Sequence, residues 1–292
     1  MGVVLAYQNS NEIILNFRLL DYKYFIFAII MAGLASFMSA YKLFKTFSYA
    51  LSFDINFSEW LHVYIKSYFL NFFVPMLGML FRGNYLKKKY NISYTDYIAA
   101  SYLFAVVGLL VLLMLCSLLL AMFEEKYFFL IPSISIIFLV YVKIIFFKKI
   151  SEYGFEKKTL NYYFKKLSIF SELLNLVYYK NKFFNYLIIF VITACIDLLV
   201  FVITLNGFAH SISLESLILI YLAYTVSWFI RITPGNIGIQ EAIISTASSM
   251  TGFGALSGTI LSLLLRLINL GGILLLWCVL KVIYMLKRHE IL

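Results

Sequence analysis

Asp197, Arg231, Glu241 and Arg266 are four charged residues set in long apolar surroundings, and their types suit the capture of an anion. Guanidinium groups offer paired donors and keep their charge, which matches phosphate. Arg231 and Glu241 flank the run Pro234-Gly235-Asn236-Ile237-Gly238. Proline removes a backbone donor and glycine permits left-handed backbone, so this run must interrupt a helix. A helix restarting after Gly238 would aim its free N–H groups at the same anion. The functional reading gives Arg231 and Arg266 to the anion, with Asp197 or Glu241 as their partners when the site is empty. The structural alternative is two ion pairs, Arg231–Glu241 and Asp197–Arg266, that hold a bundle together.

The surroundings of these charges are a membrane. The chain is 63% hydrophobic and 13% charged, with a mean hydropathy of +0.92, which excludes an ordinary soluble domain. Apolar stretches at 24–41, 98–123, 127–142, 183–205, 214–230 and 255–280 mostly reach the ~20 residues that cross a bilayer. The start carries Glu12, Arg18 and Asp21 and has no clean apolar core of a signal peptide. A net charge of +10 reflects basic loops that set orientation rather than nucleic-acid binding. Cys116, Cys195, Cys278, His62, His210 and His289 are mutually isolated and have no metal-ligand spacing. No cofactor is called for.

The expected architecture is an all-α polytopic bundle, one transmembrane domain over residues 1–292. A first crossing runs about 24–42, ending at Lys42 and Lys45, and residues 46–59 form a polar connection. Residues 60–90 are too short for two crossings and too interrupted for one, so they read as a re-entrant hairpin with Pro75 and Gly78 at its tip. Crossings follow at about 95–123, 127–147 and 183–206. A broken pair, about 214–231 and 237–251, precedes a final helix at about 255–286. The segment 148–182 carries eight lysines against three glutamates. It reads either as a basic amphipathic helix on the anionic cytoplasmic surface or as a plain linker helix.

Placing the lysine-rich segments inside makes the hairpin at 60–90 enter from the cytoplasm and the pair at 214–251 enter from outside. The C-terminus is then cytoplasmic. Repeat-like halves, about 24–147 and 183–286, are thus inverted, and the interface of such repeats commonly holds a substrate.

At these breaks the chain resembles a known family. Pro234-Gly235-Asn236-Ile237-Gly238-Ile239-Gln240-Glu241-Ala242 is similar to the Pro-Gly-Gly-x-Gly-x-x-Glu-Ala signature of flippase-like membrane proteins related to the transmembrane region of lysylphosphatidylglycerol synthases. Asn71, Pro75, Gly78 and Arg82 resemble the family's first motif, and Arg266 matches an arginine usual in the last helix. The first motif is one residue short between Pro75 and Gly78, and Ser101–Ala105 replaces a usual Glu-Arg-x-x-Asp. The family carries one more crossing ahead of the first one here, and Val3–Tyr7 reads as its remnant. The resemblance implies inverted repeats with re-entrant helices and movement of an anionic or lipid-linked headgroup between leaflets. The soluble aminoacyl-transfer domain of the synthases would follow the membrane region, and with the chain stopping at Leu292, lipid aminoacylation is not expected. The implied partners are membrane lipids, and self-association is left open. The competing reading is an integral-membrane headgroup transferase or an accessory subunit of an envelope pathway. A transferase would need an acid–base or nucleophile set, and no paired carboxylates or Ser/His/Asp set is visible.

Overall fold

The computed structural model describes residues 21–51, 55–123, 183–207, 212–228, 230 and 233–289. The expectations for residues 1–20, Glu124-Glu125, the return helix at 127–147, the basic segment 148–182, His210 and Arg231 lie outside the described residues. Among the described residues every regular element is helical. They are α1 (Tyr22–Leu51), α2 (Phe57–Phe73), α3 (Leu77–Tyr90), α4 (Tyr94–Phe123), α5 (Phe183–Gly207), α6 (Leu214–Ser227), a 3-10 turn (Pro234–Asn236), α7 (Ile239–Met250) and α8 (Ala255–His289). Four of them, α1, α4, α5 and α8, are long and apolar enough to cross a membrane. This is a multi-pass membrane protein.

The first connection differs from the sequence expectation. Helix α1 does not end at Lys42 and Lys45 but continues to Leu51, and α2 already includes Glu59. Aromatic packing explains the extension. Lys42 Nζ lies 4.9 Å from the Phe190 ring centroid and 5.2 Å from that of Phe104, so its charge rests on ring faces rather than forcing an exit to water. Thr46 shares a 3.0 Å hydrogen bond with the Tyr186 hydroxyl. Phe47 packs edge-on against Trp60, whose indole N–H donates to the Ala40 carbonyl at 3.0 Å. The start of the expected polar linker is helix, with Thr46 and Phe47 buried in it.

The chain forms two compact units. One comprises Met1–Ser39, Leu61–Met79 and Cys195–Leu292, and the other Ala40–Trp60 and Leu80–Ala194. In the first unit the N-terminal half of α1 meets α5 and α8 through Ala28, Ala32, Ala35, Val200 and Ile268. Small residues let the backbones touch. A methyl group placed on Gly272 would sit 2.6 Å from the Ala32 carbonyl carbon and the Gly33 nitrogen. In hydrocarbon, where burying apolar surface gains little, such close packing is a main source of helix association.

The second unit holds the base of the α2–α3 pair. Glu59, near the start of α2, accepts hydrogen bonds from Tyr85 and Lys89 near the end of α3.

Candidate functional site

Both interrupted regions are tight helix–turn–helix units. Helix α2 stops at Phe73, Val74-Pro75-Met76 turns, and α3 starts at Leu77. Met76 takes the left-handed conformation at φ 59°. Asn71 Oδ1 accepts the Gly78 N–H at 2.7 Å, occupying one of the free donors at the start of α3. Gly78 is required by contact: a methyl group there would lie 1.8 Å from the Ser67 carbonyl oxygen.

The second unit breaks over Trp228–Gly238. Gly235, Asn236 and Gly238 all have positive φ, at 56°, 61° and 84°. Two of these are glycines, for which that region is free of Cβ strain. The two arms meet again at their far ends, where Ser216 Oγ donates to the Thr251 carbonyl at 3.5 Å.

Three charge-bearing contacts organise this second break. Glu241 Oε2 accepts the Gly238 N–H at 2.7 Å, capping α7 from within its own first turn. Its other oxygen lies 2.7 Å from Arg266 Nη2, a charge contact that leaves Oε1 without an aligned hydrogen bond. The same Nη2 donates to the Asn236 carbonyl at 3.3 Å. Asn236 in turn donates through Nδ2 to the Ser227 carbonyl at 2.7 Å, at the end of α6, where that oxygen also accepts the Ile230 N–H at 3.2 Å. The side chains of Glu241 and Arg266 are only 5% and 14% exposed.

Helix α7 buries polar residues beside apolar ones: Gln240, Glu241, Ser245 and Ser248 together with Ile244 and Ala247. Several buried polar atoms near the break have no hydrogen-bond partner among the described residues: Thr233 Oγ1, Asn236 Oδ1, Gln240 Nε2 and Arg266 Nε. Such atoms are costly in a membrane interior unless water or a ligand meets them.

The two motifs meet in this unit. Phe72, beside Asn71 at the end of α2, lies against Gly235: a methyl group there would sit 3.3 Å from the Phe72 carbonyl oxygen and 3.4 Å from its ring. Of the residues singled out from sequence, Asn236, Gly238, Glu241 and Arg266 form one connected cluster, and Gly235 borders the first motif. Pro75 and Pro234 both occupy turns. Asp197 lies on α5, and the Tyr224 hydroxyl accepts a 2.8 Å hydrogen bond from Asn269, three residues beyond Arg266 on α8. Arg82 belongs to the other compact unit. Ser227, Gln240 and Asn269 were not anticipated. Asn269 did carry a signal, an amide three residues from an arginine on one apolar helix. The Ser227 contact runs through a backbone carbonyl and leaves no mark in the sequence.

Comparison with curated proteins and with solved structures gives no match. The family model described as the lysylphosphatidylglycerol synthase TM region matches residues 1–276. Both breaks, the Arg266–Glu241 pair and all four long apolar helices except the end of α8 fall within that match. The chain therefore belongs to the family of the lysylphosphatidylglycerol synthase transmembrane region, and its role concerns membrane lipids.

Proposed function

We propose that the protein is a translocase of the cytoplasmic membrane that carries a phospholipid or lipid-linked glycan headgroup between leaflets, its C-terminus facing the cytoplasm. The observation that carries this reading is Arg266. Its guanidinium is mostly shielded at the interrupted start of α7, against Glu241 and the Asn236 carbonyl. A cation beside a helix N-terminus, inside a membrane protein, favours a bound anion. Glu241 is the resident counter-ion, and a lipid phosphate takes its place on Arg266 and Gly238.

The hairpins serve as two re-entrant gates in an inverted repeat. Their arms have 17 and 14 residues in the first pair and 14 and 12 in the second. At 1.5 Å per residue these arms are roughly 18–25 Å long, short of the ~30 Å hydrocarbon core. The Thr46–Tyr186 bond ties the C-terminal end of α1 to the N-terminal end of α5, and Trp60 binds that same end of α1. The second hairpin follows the opposite end of α5 along the chain. These relationships support entry from opposite membrane faces.

The test is reconstitution into vesicles with a headgroup-labelled phosphatidylglycerol, followed by quenching of the outer leaflet. The wild-type protein is expected to expose inner-leaflet label within the assay, and Arg266→Leu is expected to lose at least tenfold in rate while remaining inserted. Unchanged movement in Arg266→Leu rejects the phosphate role. A covalently altered lipid detected by mass spectrometry would replace translocation with headgroup transfer.

A further inference from the structure

Asn236 holds the left-handed backbone that suits glycine, at φ 61°, and its side chain does two things that glycine cannot. Its Nδ2 reaches back to the Ser227 carbonyl at 2.7 Å and so fixes the amide in place. Its Oδ1 is left buried and without a partner among the described residues, on a residue only 6% exposed. The backbone oxygen of the same residue is held by Arg266 at 3.3 Å. An immobilised, unpaired acceptor therefore belongs to a residue in direct contact with the cation that would hold a phosphate.

The other unpaired atoms complete the pattern. Gln240 Nε2 and Arg266 Nε are donors that need an acceptor, which phosphate oxygens supply. Asn236 Oδ1 needs the reverse, an O–H or N–H group. A bare phosphodiester satisfies the first requirement and leaves the second open. Resting on the lipid reading above, we infer that Asn236 is a specificity-determining residue that accepts a hydrogen bond from a donor on the headgroup beside the phosphate. Lipids with that donor are selected over lipids of equal charge that lack it. A polar site rejects an analogue lacking the donor because its own acceptor is then left unpaired.

The matched probes are phosphatidylglycerol, which carries hydroxyl donors, and phosphatidylmethanol, which has the same charge and none. Binding of each to the full chain in detergent micelles is followed by native mass spectrometry. The wild-type protein is expected to prefer phosphatidylglycerol by about tenfold, the scale of one well-made hydrogen bond. Asn236→Gly accepts the 61° backbone without strain, and is expected to bring the preference to within about twofold by weakening phosphatidylglycerol alone. Equal binding of both lipids by the wild-type protein, an unchanged preference in Asn236→Gly, or an equal loss for both lipids would each overturn the assignment, the last showing that Asn236 is only a strut between α6 and the turn. Arg266→Gln separates this from failure of the lipid reading. It should weaken both lipids together, and no effect on either would remove the phosphate site itself.

Discussion

Arg266 on α8 and the buried Glu241 on α7 form a largely enclosed ion pair, 2.7 Å between Nη2 and Oε1, at the point where the backbone leaves the helix. Removing one member strands the other. Arg266→Leu is expected to destabilise the protein by about 3–5 kcal/mol, and adding Glu241→Leu should recover much of that loss. Thermal unfolding of the single and double variants in one detergent measures the coupling. Strictly additive effects would show that the contact has little energetic weight.

Gly78 and Gly83 sit five residues apart on α3 and make opposite demands. A methyl group at Gly78 collides with backbone, 1.8 Å from the Ser67 oxygen, whereas one at Gly83 meets the Tyr97 ring edge at 3.0 Å. A ring can shift and a helix backbone cannot. Gly78→Ala should therefore lose folded protein on size-exclusion chromatography, while Gly83→Ala should stay folded with a loss on the order of 1–3 kcal/mol, typical of overpacking. Equal tolerance at both positions would contradict the tight first hairpin.

Opposite entry of the hairpins is open to direct labelling. Cys195 and Cys278 are exposed and Cys116 is buried, so all three are first replaced by serine. Single cysteines are then placed at Ser58 for the base of the first hairpin and at the exposed Ser249 for the base of the second. An impermeant maleimide on intact cells should modify the Ser249 position alone, and Ser58 only after permeabilisation. Modification of both from outside would place the two hairpins on one face.

Acid should loosen the base of the first hairpin. Hydrogen bonds from Lys89 and then from Tyr85 hold the Glu59 carboxyl below its ordinary range. A carboxylate with a lowered value contributes fully above the ordinary glutamate range, roughly pH 4–5, and that contribution fades as pH falls through the lowered value. Hydrogen exchange of residues 57–61 and 85–90 should therefore quicken only in strong acid. Glu59→Gln should show the faster exchange already at pH 7. Identical exchange in the variant and the wild-type protein at pH 7 would deny the link any structural role.

Much of the helical layout was legible because hydropathy and helix breakers act locally. The ranges expected for α4, α5 and α8 at 95–123, 183–206 and 255–286 differ from the observed elements by at most a few residues. Pro75 and the Pro234–Gly238 run marked both interruptions for the same reason, since proline and left-handed backbone are properties of single residues. The end of α1 was not legible. Lys42, Lys45 and Thr46 look like an exit to water until Phe104, Phe190 and Tyr186 arrive from distant helices. The choice of partner for Arg266 was open in the sequence, which offered Asp197 or Glu241. The turn between α7 and α8 lays the two helices together and presents Glu241 to Arg266.

The crossing of α1 and α8 at Gly33 and Gly272 bears on how such a molecule moves. No side chain separates the two backbones there, so the rods can roll or scissor about the touching point but cannot drift apart without losing their closest packing. Helix α8 has 35 residues and carries Arg266 less than two turns from that fulcrum. A tilt of 10° would swing a helix end some 25 Å away by about 4 Å while moving the arginine by only about 1–2 Å. Leverage of this kind lets the outer reaches of the bundle rock widely around a charge that stays nearly still.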